Sequence, residues 1–182
     1  QGELIQSKIV DAARIILMDA PDFMLDGKDY NGLNTSWAES NGAYVGTIHL
    51  PSDMIRLLNV KASDWNRSAE IITEEDDAYK VQCSRFGVRG NPERPVAALI
   101  HRSGERLLEL FTSKSNTANV SLAYVGMPSI SEGNIDLPET LKDSIIYMAG
   151  YLTCISLGDT DTASGFLGVA RKLAHIVEPT TS

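Results

Sequence analysis

Metal-ligating and nucleophilic side chains are scarce and scattered in this 182-residue chain. Its two cysteines, Cys83 and Cys154, lie far apart and form no CxxC pair, so no zinc site is expected, and a single disulfide between them is the alternative to two reduced thiols. Both are read as reduced, buried thiols, which suits a cytoplasmic place of assembly. The three histidines, His49, His101 and His175, stand alone, with no Cys or carboxylate at ligand spacing and no HExxH, so no metal site is expected. Neither a GxSxG elbow nor a Walker loop occurs. Gly87-Val88-Arg89-Gly90 is glycine-rich, but Pro92 and Pro95 follow where a phosphate cradle requires a helix, so it reads as a turn. Asp29-Tyr30-Asn31-Gly32 opens like a calcium loop but lacks the later Glu. Glu74-Glu75-Asp76-Asp77 reads as a solvated acidic turn, because no apolar surround is evident that would push two carboxyl pKa values apart. These absences point to a non-enzymatic protein without a cofactor.

Long apolar runs are missing too. None approaches the ~18 residues of a membrane span, so no membrane association is expected. The opening Gln1-Gly2-Glu3-Leu4 has no Met, basic segment or apolar segment and is not expected to act as a secretory signal. A formal net charge of −8 excludes a general coat for nucleic acid, whose affinity comes from Lys and Arg neutralising phosphates. Aromatic residues are only 7% of the chain, which speaks against a carbohydrate-binding cleft on a surface module.

What is present is a change of period along the chain. Ile5, Ile9, Ala12, Ala13, Ile16 and Leu17 fall at helical spacing, and Pro21 ends that helix. Residues 26–42 are polar and rich in Gly and Asn, and read as a long loop. Short β-rich runs follow at 44–50, 54–62, 69–73, 79–84, 96–102, 107–112 and 120–124, with Ser103-Gly104-Glu105 as a tight hairpin turn. After Pro138 the helical period returns. Leu141, Ile145, Met148, Ala149 and Leu152 share one face and Gly158 is the stop. Asp159 or Thr160 caps a last helix with Ala163, Phe166, Leu167, Ala170, Leu173, Ala174 and Val177 as its stripe. The short link implies an antiparallel pair, with Leu141, Ile145, Phe166 and Leu167 in one core.

The expected fold class is therefore α+β: a helical bundle built from N- and C-terminal helices, with an inserted antiparallel β-rich lobe. The whole chain, 1–182, is expected to be a single structural unit, helical over 1–24 and 136–178, with the β-rich insert at 43–128.

One local charge imbalance stands out. Lys80, Arg85, Arg89, Arg94, Arg102 and Arg106 face only Glu93 and Glu105 across that stretch. Such a segment is either a solvated sheet face or a basic loop meeting an acidic partner or passing DNA.

Several stretches, in order, resemble the head–tail connector proteins of tailed bacteriophages, also called adaptor, head-completion or tail accessory factors. Asp11-Ala12-Ala13-Arg14 with Asp19-Ala20-Pro21 is similar to that family's opening helix and exit. Ile48-His49-Leu50-Pro51-Ser52-Asp53-Met54-Ile55-Arg56-Leu57-Leu58 is similar to its entry into the sheet, and Ala62-Ser63-Asp64-Trp65-Asn66-Arg67 to a strand end. Gly90-Asn91-Pro92-Glu93-Arg94-Pro95 is similar to its loop, and Ile135-Asp136-Leu137-Pro138 with Leu141-Lys142-Asp143-Ser144-Ile145-Ile146-Tyr147 to its closing helix, where Ser144 replaces a usual Ala.

The resemblance implies a virion protein at the head–tail junction, assembled in the bacterial host cytoplasm. It implies an oligomeric ring, typically of twelve copies, docked on the portal protein, extending the DNA channel and attaching downstream tail or neck proteins. Packaged DNA would pass through without sequence-specific binding, and an acidic wall suits sliding. Another neck or tail ring or terminator protein is the alternative, followed by a non-enzymatic surface binding module. Within this expectation Trp65, Arg67, Arg85, Arg89, Asn91 and Arg94 are the contact residues, since aromatics and Arg are enriched in interface cores.

Overall fold

A computed structural model describes residues 2–31, 33–84, 88–131 and 134–177. The chain divides into two compact units, one of residues 1–27 with 125–182, the other of residues 28–124. The first holds helices α1 (Gly2–Asp19), α3 (Lys142–Leu157) and α4 (Thr160–Leu173), and the two-residue strands β9 (Ile130–Ser131) and β10 (Asn134–Ile135).

Helix α3 packs against both α1 and α4. Small residues permit the close approach: Ala12, Ala13 and Ala20 at α1, and Ala163, Ala170 and Ala174 at α4, are all buried. Leu141, Ile145 and Met148 fill the space between, with Ile16 and Leu17 from α1. Ser144, also buried, donates from Oγ to the carbonyl of Ala170 at 2.8 Å, which satisfies its hydroxyl inside the helix pair. Helix α3 ends at the left-handed Gly158, and Asp159 caps α4 by accepting from the Thr162 N–H at 3.1 Å. Phe166 and Leu167 are only half-buried, so the expected four-residue core reduces to Leu141 and Ile145.

The second unit is built on sheets. Strands β2 (Ser36–Ser40), β3 (Ala43–His49), β7 (Glu105–Ser113), β6 (Val96–Arg102) and β5 (Glu70–Thr73) lie side by side in that order. Strands β1 (Lys28–Asn31), β8 (Val120–Gly126) and β4 (Met54–Ala62) form a second, three-stranded sheet. Alternation decides what each face buries. Leu108 and Leu110 of β7, Ala97 of β6 and Ile48 of β3 join Leu57 and Val60 of β4 and Val120 and Leu122 of β8 in the main core. The opposite face of the larger sheet carries Ile72, Ala98, Ile100 and Phe111. Tyr79, from the short helix α2 (Asp77–Cys83), packs on it, edge-on to Phe111.

The expected fold class needs correction. Strand-rich sheets dominate the protein, so it is not a helical bundle carrying an inserted lobe. Nor is the strand-rich part purely antiparallel, because β5 runs parallel to β6. Two strands, β1 and β2, lie where a long loop was expected. Their polar residues need no apolar alternation, because β1 is exposed along its whole length and both are outer strands. Residues 79–84, expected as a strand, fall largely in α2, which starts after Asp76 and covers a sheet face with Tyr79. The cysteines are both free, but Cys83 is exposed and not buried. Among the described residues no helix is long and apolar enough to cross a membrane.

These placements rank core substitutions. Leu110→Ala and Ile145→Ala, both at fully buried sites, are each expected to lower the unfolding free energy by about 2–5 kcal/mol. Phe166→Ala is expected to cost less than either, and urea denaturation of the three variants measures the order.

Candidate functional site

The turn after β4 and the loop before β6 meet at one corner of the strand-rich unit. The N–H of Asn66 donates to the Pro92 carbonyl at 2.8 Å, and the N–H of Glu70 to that of Pro95 at 2.9 Å. Beneath them Trp65 is 3% exposed, and its Nε1 donates to the Thr112 carbonyl at 3.0 Å. Thr112, itself buried, donates from Oγ1 to the Gly90 carbonyl at 2.8 Å. The N–H of the same residue, Gly90, donates to Oε1 of buried Gln82 at 2.6 Å. This chain of bonds ties α2, the loop and the end of β7 together, and every member is a group that would be costly to bury unpaired.

Gly90 is required for the approach. A Cβ there would lie 2.6 Å from the Phe111 carbonyl oxygen and 2.9 Å from the Val96 nitrogen, both backbone atoms that cannot swing aside. A parallel arrangement fixes the turn side. Ser113 Oγ and the Lys114 N–H donate to Asp64 Oδ2 at 3.0 and 2.7 Å, while Asp64 Oδ1 is buried without a hydrogen-bond partner.

The six expected contact residues divide on this geometry. Arg67 and Arg94 are exposed on the two joined segments, and neither forms an ion pair among the described residues. Asn91 scaffolds the loop: its Oδ1 accepts from the N–H groups of Glu93 and Arg94 at 3.0 and 3.1 Å. Trp65 is spent on the core and cannot serve as a surface contact. Arg89 is partly buried, donates from Nη1 to Ser40 Oγ at 2.6 Å, and leaves Nε buried without an acceptor. Arg85 lies outside the described residues.

The wider basic stretch does not form one patch. Lys80 pairs with Asp77 at 2.7 Å. Arg106 donates from Nη1 to the Met54 carbonyl at 2.8 Å and reaches those of Pro51 and Ser52. Arg102 donates to the Tyr79 hydroxyl at 3.3 Å, which in turn donates to Glu109 Oε2 at 2.8 Å. Burial, then hydrogen bonds to Glu109 and Cys83, hold the Tyr79 phenol above its ordinary pKa, so it stays a neutral donor. Sequence reasoning missed Gln82, Thr112 and Tyr79, because buried polar partners carry no periodic signal.

Other polar residues are also placed. His49 Nδ1 lies 3.2 Å from Glu105 Oε2, and His175 stacks edge-on against Phe23. Asp29, Tyr30 and Asn31 form part of β1 and pair with β8. Among the described residues no group of three or more His, Cys, Asp or Glu is placed to hold a metal ion. The corner therefore presents two guanidinium groups with no ion pair among the described residues, on a hydrogen-bonded support, a geometry that fits a carboxylate or phosphate.

No protein-family model matches the sequence, and no curated protein matches it either.

Two substitutions separate surface from support. Arg67→Glu with Arg94→Glu is expected to leave stability within about 0.5 kcal/mol, as exposed sites do. Gly90→Ala is expected to cost more than about 1 kcal/mol, since backbone must shift to admit the methyl group. Thermal and urea unfolding of the two variants checks the contrast.

Proposed function

We propose that this protein is a structural subunit of a ring at the head–tail junction of a tailed bacteriophage. In this reading twelve copies pack side by side, dock on the portal protein, extend the DNA channel and attach the tail. The observation that carries it is the distribution of uncovered apolar side chains. Ten of thirteen exposed large hydrophobics among the described residues lie in the helical unit, against three in the strand-rich unit. Leu157 is 79% exposed, Ile146 51% and Leu173 40%. Such an excess in one unit is what a lateral interface between copies would cover.

Charge supports the same reading. The chain carries −8 overall, so a channel lined by it repels DNA and lets it slide. Arg67 and Arg94 are then the contacts to an acidic surface on a neighbouring copy or the portal.

Native mass spectrometry of the protein, alone and mixed with a portal ring, tests the assignment. A closed ring near twelve copies in either sample is expected. A monomer that persists in both overturns it. Val169→Asp with Leu173→Asp, at exposed sites, is expected to abolish the ring while leaving the unfolding midpoint within a few degrees.

A further inference from the structure

Strand β2 is an outer strand of the five-stranded sheet and pairs with β3 alone. Ser40 pairs with Ala43 across the two-residue Asn41-Gly42 turn, so Ser36, Ala38 and Ser40 turn their main-chain groups inward to β3. The N–H and C=O groups of Trp37 and Glu39 therefore face outward. Neither residue forms a main-chain bond on that side among the described residues. Ala38 and Glu39 lie on opposite faces and both are exposed, so neither face of the strand covers this edge.

Two contacts hold the edge in place and keep it clear. The Trp37 ring folds back over β3, where a Cβ on Gly46 would lie 2.7 Å from it, and its Nε1 donates to the Ala118 carbonyl at 3.2 Å. At the far end Arg89 donates to the Ser40 hydroxyl. The strand is ordered before any partner arrives, which lowers the entropy that pairing costs. Natural sheets guard such edges with Lys, Pro, bulges or a covering element. Outer strand β1 carries Lys28, and the approach to β5 is joined to β4, where the Ala69 N–H donates to the Val60 carbonyl at 2.9 Å. Strand β2, Ser36-Trp37-Ala38-Glu39-Ser40, has no Lys, Arg or Pro.

The same five residues select the occupant. A second, antiparallel β2 can bond only where outward residues meet outward residues, so Trp37 or Glu39 must face Trp37 or Glu39 of the other chain. A register centred on Glu39 sets two carboxylates against each other. One centred on Trp37 leaves Glu39 and Ser40 of each chain beyond the end of the other strand. Centred on Ala38, every residue of both strands is paired. Trp37 then faces Glu39 twice, which gives about four main-chain bonds. The small Ala38 faces its own copy at the close position, Ser36 faces Ser40, and no like charges are opposed.

We propose that two copies of the chain associate through β2, antiparallel about a two-fold axis at Ala38, so that their five-stranded sheets become one. The contact is isologous and closes at two copies. It uses none of the apolar side chains of the helical unit and is independent of ring formation.

Register-specific cross-linking tests it. In a chain with Cys83→Ser and Cys154→Ala, Ala38→Cys sets two thiols across the axis, where the Cα atoms of a close pair lie ~4.5 Å apart and a disulfide fits. Ser40→Cys sets them ~13 Å apart, out of reach. With oxidised glutathione as the oxidant, the first variant is expected to form covalent dimer at least about tenfold faster than the second. Hydrogen exchange of the unsubstituted chain, read by mass spectrometry, is the companion measurement. Between about 5 µM and about 0.5 mM protein, exchange across residues 36–40 is expected to slow about threefold. Equal cross-linking of the two variants overturns the proposal, since random collision or another register then accounts for it. Exchange at residues 36–40 that is the same at both concentrations also overturns it, whatever ring the helical unit forms.

Discussion

Strand β7 has to be buried on both faces, and most of the strand-rich unit follows from that requirement. Its even positions, Leu108 and Leu110, point into the core shared with β4 and β8. Its odd positions, Leu107, Glu109 and Phe111, look the other way, where one small helix supplies the cover. A central strand with two buried faces cannot tolerate an unpaired polar group on either. Glu109 is therefore met by the Tyr79 hydroxyl, and Thr112 by the Gly90 carbonyl. The helix that covers the sheet also supplies Gln82, which takes the Gly90 N–H. One strand's burial thus fixes α2, the loop at 88–95 and, through Trp65, the turn that faces it.

The same constraint explains which arginines remain available. A loop held through both the N–H and the carbonyl of Gly90 has little freedom, so its side chains are set by position. Arg89 falls on the inner side and is taken by Ser40, while Arg94, past the Asn91 turn, falls outside. Sequence charge alone reports both as equal members of a basic segment. Burial separates a supporting cation from one free to meet a partner.

Much of the strand order was legible in the sequence because it rests on local signals. The boundaries of β4 and β6 agree with the runs at 54–62 and 96–102, which are rich in apolar residues and bounded by turn residues. The turn at Ser103-Gly104 also agrees, both residues having the positive φ that such a hairpin needs. An equivalent signal at Asn41-Gly42, also both positive in φ, joins β2 to β3, but the polar Glu39-Ser40 before it gives no apolar alternation to mark a strand there. The character of α2 was hidden for a different reason. Seven residues give too few turns for a helical period, and Tyr79, Val81 and Cys83 alternate like a strand. Pairing direction, such as β5 running parallel to β6, is set by long-range packing and leaves no local mark.

The helical unit shows the complementary limit. The apolar stripe of α4 is clear in the sequence, but a stripe states only which face avoids water, not what covers it. In the structure the cover within the chain buries Ala163, Ala170 and Ala174, leaves Phe166 and Leu167 half-buried, and stops short of Leu173 and Val177. Alanine at the contact lets α3 and α4 approach closely, and that closeness turns the larger side chains of the stripe toward the rim. Close packing inside the unit and apolar excess outside it thus have one cause, the small residues of α4. A helix pair built this way has its interior satisfied while its outer face still has apolar area to bury, which is the condition under which association between chains gains more than further folding.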